Sequence, residues 1–225
     1  QTNFEDQGEF ISNLAHELRT PLTSLRMNLE VLNSGPQAKL EDYQGFSATA
    51  ERSITRLERL IEDLLLLAKA EREIDCRPTI LGVLFEDILE ELTPIAEREN
   101  VELKMSGDLD LEVNGDPVLL NRAVANLIEN GIHYNHPGGF VEISVCKADN
   151  QIIIEIKDNG IGISEDQQSR IFERFYRAEK GSANHIGKGL GLAITAHIIA
   201  LHNGRIDIKS ELGKGSIFQI YLKTA

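Results

Sequence analysis

The chain has 225 residues, 41% hydrophobic and 26% charged, with 23 Lys+Arg against 36 Asp+Glu and a formal net charge of −13. That length suits one large or two small domains with a packed core, and it excludes a disordered tail, a collagen and a disulfide mini-protein. The negative charge argues against nucleic-acid binding through phosphates, no apolar run reaches the roughly 18 residues of a membrane span, and residues 1–9 are too polar for a signal peptide.

From Ile11 the apolar residues recur at Leu14, Leu18, Leu22, Leu25, Leu29 and Leu32. These steps, mostly threes and fours, predict a helix with a narrow seam. Asn33-Ser34-Gly35-Pro36 breaks it. Ala50, Ile54, Leu57, Ile61, Leu64 and Ala68 predict a second helix, and the short loop makes the two an antiparallel hairpin. Such a hairpin has too little core to stand alone. Its seam predicts a dimer that forms a four-helix bundle; the alternative is packing on the rest of its own chain. Charged residues cluster over 71–78, and Arg77-Pro78 reads as the end of the helix. The domain boundary falls there, giving 1–72 and 73–225. Cys76 and Cys146 form no framework and read as reduced thiols in a cytosolic setting.

Beyond the boundary the period mixes. Residues 84–95 and 117–134 read as helices, the second started by Asp116 as cap and Pro117 in the first turn. Residues 141–145 alternate with period two, as do Ile152, Ile154 and Ile156 after a turn at 148–150. Residues 190–201 read as a helix ended by Asn203-Gly204. Ile206 and Ile208, then Phe218, Ile220 and Leu222, give two closing strands. Helices mixed with antiparallel strands indicate an α+β sandwich, with helices on one face of a sheet.

Several clusters carry chemistry. With Ile11 at heptad position a, His16 falls at f, on the solvent side. Glu17 adjoins it and can hold a ring nitrogen or accept its proton. Thr20 adds a hydroxyl one turn on, and Pro21 removes the hydrogen bond to the Glu17 carbonyl, which suggests a bend there. Asn126 and Asn130 share a helical face, and their carboxamide oxygens suit Mg²⁺; equally, they could be buried asparagines bonding the backbone. Asp158-Asn159-Gly160-Ile161-Gly162 follows a strand, so its backbone can approach a ligand closely, with Asp158 as acceptor for the amino group of a base; such a pattern is often only a turn. Gly187-Lys188-Gly189-Leu190-Gly191 opens a helix and makes a phosphate seat. Residues 178–186 suggest a mobile lid, with Arg177 able to reach a phosphate and Phe172 and Phe175 reading mostly as core aromatics.

The segment Phe10-Ile11-Ser12-Asn13-Leu14-Ala15-His16-Glu17-Leu18-Arg19-Thr20-Pro21-Leu22-Thr23 resembles the phospho-acceptor box of sensor histidine kinases. The four later clusters, in this order, resemble the N, G1, F and G2 boxes of that family's ATP-binding domain, which is related to the gyrase, Hsp90 and MutL ATPases. The resemblance runs from about Phe10 to Leu222. It implies an α+β multidomain fold, the dimeric helical hairpin followed by an α/β sandwich of the gyrase, Hsp90, histidine kinase and MutL type. It implies ATP and Mg²⁺ as cofactors, His16 as the phosphoryl acceptor, Glu17 as general base and Thr20 as the residue that places water for dephosphorylation. It implies Asn130 as Mg²⁺ ligand with Asn126 in support, Asp158 on the adenine amino group and Tyr134 beside the ring. Gly160 and Gly162 would line the pocket, Arg177 would reach the γ-phosphate, and Gly187, Lys188, Gly189, Leu190 and Gly191 would hold the lid and phosphates. The implied partners are a second copy of the chain and the receiver domain of a response regulator. The implied location is the cytoplasm, with membrane contact only through a sensor region absent from this chain. Four positions depart from the family pattern: Gly131 for alanine, His133 for lysine or arginine beside the phosphates, Lys188 for a small hydroxyl residue and Ile186 for a glycine. Lys188 is expected to restore part of the charge that His133 lacks. An ATPase that cycles conformationally would carry a glutamate at Asn126, and a binding module without catalysis would not need the intact boxes.

Overall fold

A computed structural model describes residues 2–34, 40–68, 74–176 and 189–224. The chain divides into two compact units, Gln1–Ala70 and Glu71–Ala225.

The first unit is a pair of helices, α1 (Thr2–Ser34) and α2 (Leu40–Ala68), packed on each other. The helix α1 runs through Pro21. The expected single seam separates into two stripes. Leu14, Leu18, Leu25 and Leu32 are half-buried and Pro21 is buried, at a and d spacing. Leu22 and Leu29, expected in that seam, fall one residue past it and stay exposed, Leu22 at 53%. On α2, Ser53 and Leu60 are buried, whereas Ile54, Ile61 and Leu65 are exposed, Ile61 at 49%. Each helix therefore carries an apolar stripe at seven-residue spacing that the hairpin itself leaves in water.

The second unit is built on a five-stranded sheet of order β2-β4-β5-β7-β6. The strands are β2 (Glu102–Gly107), β4 (Phe140–Ala148), β5 (Gln151–Asp158), β6 (Arg205–Glu211) and β7 (Gly215–Lys223). A separate two-stranded ribbon pairs β1 (Arg77–Ile80) with β3 (Glu112–Gly115). Period-two alternation sends Val141, Ile143 and Val145, Ile152, Ile154 and Ile156, and Phe218, Ile220 and Leu222 to one buried face. Register aligns them in rows across the sheet: Val145, Ile154, Ile220 and Ile206 in one, Ile143, Ile156, Phe218 and Ile208 in the next. Helices α3 (Leu81–Glu99), α4 (Pro117–His133) and α6 (Gly191–Leu201) supply the other half of this core, with Phe85, Ile88, Leu120, Leu127, Ile128 and Ile198 each at most 1% exposed. A short helix, α5 (Glu165–Gln168), follows the β5 loop.

Three expectations are corrected. Arg77-Pro78 does not end a helix. Pro78 lies in β1 opposite Asn114, and a two-stranded ribbon is all edge, where proline is tolerated. The sheet is not wholly antiparallel, because β2 runs parallel to β4; a parallel pair needs a crossover, and α4 lies in that connection. Helix α3 extends three residues before and four beyond the expected 84–95, with Pro94 inside it.

Asp116 ties the start of α4 to two distant segments. Its Oδ1 accepts from Val118 N and Leu119 N, both at 3.1 Å, and Oδ2 accepts from Asp75 N at 3.3 Å. Its own N–H donates to His202 Nε2 at 2.9 Å, while His202 Nδ1 lies 2.7 Å from the Ile198 carbonyl. A carbonyl can only accept, so Nδ1 carries the ring hydrogen and Nε2 the lone pair.

Candidate nucleotide site

The last two turns of α4 form the centre of the site. Apolar residues at spacings of three and four turn one side of the helix into the core, with Leu127 and Ile128 buried as expected. This leaves Asn126, Asn130 and His133 half-buried and Tyr134 exposed at the helix end.

The two asparagines have different fates. Asn126 Nδ2 donates to Thr195 Oγ1 at 2.9 Å, and Thr195, fully buried, donates on to the Ala123 carbonyl. Its amide nitrogen is thus held by a side chain of α6 and not by backbone. The Asn130 carboxamide has no hydrogen-bond partner among the described residues. A half-buried amide oxygen with no partner among the described residues suits a cation that keeps its waters and binds phosphate oxygens, so the residue fits Mg²⁺. His133 Nε2 lies 3.5 Å from Glu129 Oε1.

Two loops close on α4. The β5 loop carries Asp158, Gly160 and Gly162. Asp158 Oδ1 accepts from Gly160 N at 2.9 Å and from Ser216 N at 3.2 Å, while Oδ2 has no partner among the described residues. Burial raises the Asp158 pKa above the usual carboxylate value, and the Gly160 and Ser216 N–H bonds offset part of that rise. A carboxylate that, among the described residues, accepts at one oxygen, in a desolvated setting, is poised to accept a donor from a ligand. Ile161 N donates to the Tyr134 carbonyl at 3.0 Å. A Cβ on Gly160 would sit 2.2 Å from that same oxygen, so only glycine lets the loop meet the end of α4.

The second loop enters α6 through Gly189, Leu190 and Gly191. Gly189 O accepts from Phe175 N at 2.7 Å. Leu190 is buried and anchors the helix start in the core. A Cβ on Gly191 would lie 2.5 Å from Asn126 Oδ1, so the first turn of α6 is seated directly on that carboxamide. Phe172 and Phe175 are half-buried rather than core residues, and Phe175 has a left-handed backbone with φ 62°. The structure thus brings together Asn126, Asn130, His133, Tyr134, Asp158, Gly160, Gly162, Gly189, Leu190 and Gly191. Arg177, Ile186, Gly187, Lys188 and the expected lid lie outside the described residues. His16 and Glu17 belong to α1, where only their backbone is described, and Thr20 is exposed on that helix. Arg19, Thr20, Thr23 and Met27 line a groove along α1.

The sequence alone does not single out Thr195, Ser216, Ser210 or Gln168. Thr195 lies one turn after Gly191, a spacing that could have marked it. Ser216 reaches Asp158 across 58 positions and leaves no local signal.

Residues 6–73 match the family model of the His Kinase A phospho-acceptor domain, and residues 115–225 that of the histidine kinase-, DNA gyrase B- and HSP90-like ATPase. The sensor histidine kinase RppB of Synechocystis sp. is 39% identical over 227 residues, covering 98% of this chain and 50% of that protein. The sensor protein kinase PmrB of Pseudomonas aeruginosa is 35% identical over 228 residues, covering 99% of this chain and 46% of that protein. The chain therefore spans about half the length of the curated relatives it matches. The histidine kinase ThkA, solved in complex with the response regulator protein TrrA, shares the fold, with a TM-score of 0.75, 20% identity and coverage of 100% of this chain and 64% of that one. No described helix is long and apolar enough to cross a membrane. A phospho-acceptor domain followed by an ATPase-type domain, in relatives named as sensor kinases, places the chain in the sensor histidine kinase family as its two-domain catalytic core.

Proposed function

We propose that the chain autophosphorylates on His16 with ATP and passes the phosphoryl group to an aspartate in the receiver domain of a response regulator. The observation that carries this reading is the pair of groups at the nucleotide site with no partner among the described residues, the Asn130 carboxamide and Asp158 Oδ2, in a chain whose first helix holds His16 in a phospho-acceptor box.

In this reading Asp158 Oδ2 accepts the adenine amino group and Tyr134 packs beside the ring, with Gly160 and Gly162 lining the pocket. Mg²⁺ on Asn130 would neutralise charge on the phosphates. Gly187, Lys188, Gly189, Leu190 and Gly191 seat the phosphates, and Arg177 reaches the γ-phosphate. A ring nitrogen of His16 forms a bond to the γ-phosphorus as the bond to the β–γ bridging oxygen breaks. ADP leaves with that electron pair, and Glu17 takes the ring proton. Asn126 stands where hydrolytic relatives carry a glutamate and is occupied by Thr195, which favours transfer over hydrolysis. Functional domains of 1–72 and 73–225 follow from this division of labour.

The exposed stripes of Leu22, Leu29, Ile54 and Ile61 support a homodimeric four-helix bundle. The groove beside Thr20 offers the regulator a surface, and Thr20 supports phosphatase activity by placing water. A cytoplasmic setting, with any membrane anchor in a sensor region outside this chain, completes the reading.

The test is incubation with γ-labelled ATP and Mg²⁺, comparing the chain with His16→Ala. An acid-labile, base-stable label that vanishes in the variant is the expected result. Label that persists in His16→Ala would overturn the assignment.

A further inference from the structure

Asp158 Oδ1 is held by two backbone donors from different parts of the chain, Gly160 N in the β5 loop and Ser216 N at the start of β7. These two segments are joined through one side chain. Ser210, on β6 opposite Ser216, accepts from Ile163 N at 2.8 Å at the far end of the β5 loop. Its Oγ also lies 2.9 Å from the Gly215 carbonyl and 3.0 Å from Ser216 Oγ. The hydrogens can be assigned by elimination. The Gly215 carbonyl can only accept, so Ser210 O–H donates to it; Ser216 O–H then donates to Ser210 Oγ, whose two lone pairs take Ile163 N–H and Ser216 O–H. The hydroxyl is saturated, with one donated and two accepted bonds. Gln168 Nε2 braces the same point, donating to the Ile163 carbonyl at 3.0 Å and to the Ser210 carbonyl at 2.9 Å.

We propose that Ser210 is a positioning residue for base recognition: its hydroxyl locks the β5 loop to the β6–β7 turn so that Asp158 Oδ1 stays occupied and Oδ2 faces the six-position substituent of the purine. Ser210 touches no ligand. It acts by holding the segments that carry both donors to Oδ1. Without the hydroxyl, Ile163 N–H loses its acceptor, the Ser216 hydroxyl and Gly215 carbonyl lose their partner, and the carboxylate is free to rotate. The inference rests on the reading that Asp158 accepts the amino group of ATP, and the experiment separates the two.

The experiment measures affinity for ATP and for ITP, which carries a carbonyl in place of the six-amino group, together with Tm, for the full chain and its variants. Asp158→Asn tests the underlying reading. Two backbone N–H donors hold the amide oxygen at the Oδ1 position, so the amide nitrogen turns to the base and meets an amino donor badly but a carbonyl well. The preference for ATP over ITP is expected to reverse; an unchanged preference overturns the role of Asp158, and the inference with it. Ser210→Ala is expected to lower ATP affinity about tenfold and leave ITP affinity within about twofold, the loss of one well-aimed hydrogen bond. If Ser210→Ala weakens both nucleotides alike, or leaves the ATP-to-ITP ratio unchanged while Asp158→Asn reverses it, Ser210 is structural only and the inference fails. Should Ser210→Ala not fold, the same ratio is read from Gln168→Ala, where a smaller fall in the same direction supports the inference and an unchanged ratio overturns it.

Discussion

The hairpin and the ATP-binding unit solve burial in opposite ways. In the hairpin, half of the apolar stripe stays in water, and Leu22, Leu29, Ile54 and Ile61 have no cover within the described residues of the unit. In the ATP-binding unit, the apolar rows of β4, β5 and β7 are closed by α3, α4 and α6, and at the nucleotide site two polar groups, the Asn130 carboxamide and Asp158 Oδ2, have no partner among the described residues. Unburied apolar surface calls for a protein partner, and half-buried polar groups beside a closed core call for a small ligand. The two units advertise two kinds of binding by the chemistry each leaves unfinished.

The contrast is sharpened most by charging the apolar stripes. Leu22→Asp combined with Ile61→Asp is expected to weaken self-association by at least about a hundredfold in sedimentation, because each side chain forfeits roughly 1.5–3 kcal/mol of burial in a bundle and gains a charge. ATP affinity should not change. Retained dimers would mean that these stripes are solvent surface.

A smaller effect is expected from Asp116→Ala. It removes the cap on α4 and the acceptor for Asp75 N, and should cost the ATP-binding unit about 1–2 kcal/mol, read as a lower Tm. Dimerisation should be untouched, so a loss of dimer in this variant would show that the two units do not finish their surfaces independently.

The smallest effect is one of pH. The Asp158 pKa is raised on folding, so the folded unit takes up a proton more readily than the unfolded chain. This group costs stability above its folded pKa, and the cost is relieved as pH falls through that value towards the ordinary carboxylate range. Asp158→Asn should therefore stabilise the ligand-free unit near neutrality, with the Tm gap closing as the pH drops. If Asp158 accepts the adenine amino group as proposed, ATP needs the ionised Oδ2, and its affinity should fall over the same window in the parent chain. A Tm gap that does not depend on pH would remove burial as the cause.

Legibility in the sequence followed range. Helices α1, α2, α4 and α6 and strands β4 to β7 were readable because their periods are long and clean. Strand β2 was not, since an edge strand with only two half-buried positions shows no full alternation, and β1 and β3 are four-residue segments whose partner lies over thirty positions away. Sequence spacing puts Leu22 and Leu29 in the seam because it cannot tell position d from its neighbour e. At the site, Asn126, Asn130 and Asp158 stood out by residue type and glycine context. Their holders, Thr195, Ser216 and Ser210, did not, because they meet the site across 69, 58 and 47 positions and are ordinary serines and threonines locally.

The Asp116 carboxylate has a mechanical consequence. It holds Asp75, close to where the chain enters the ATP-binding unit, at the foot of α4, and the two asparagines of the nucleotide site lie towards the other end of that helix. With 17 residues rising about 1.5 Å each, α4 is a rod of about 25 Å. Asp75 is thus tied to one end of a rod that carries Asn126 and Asn130 towards the other.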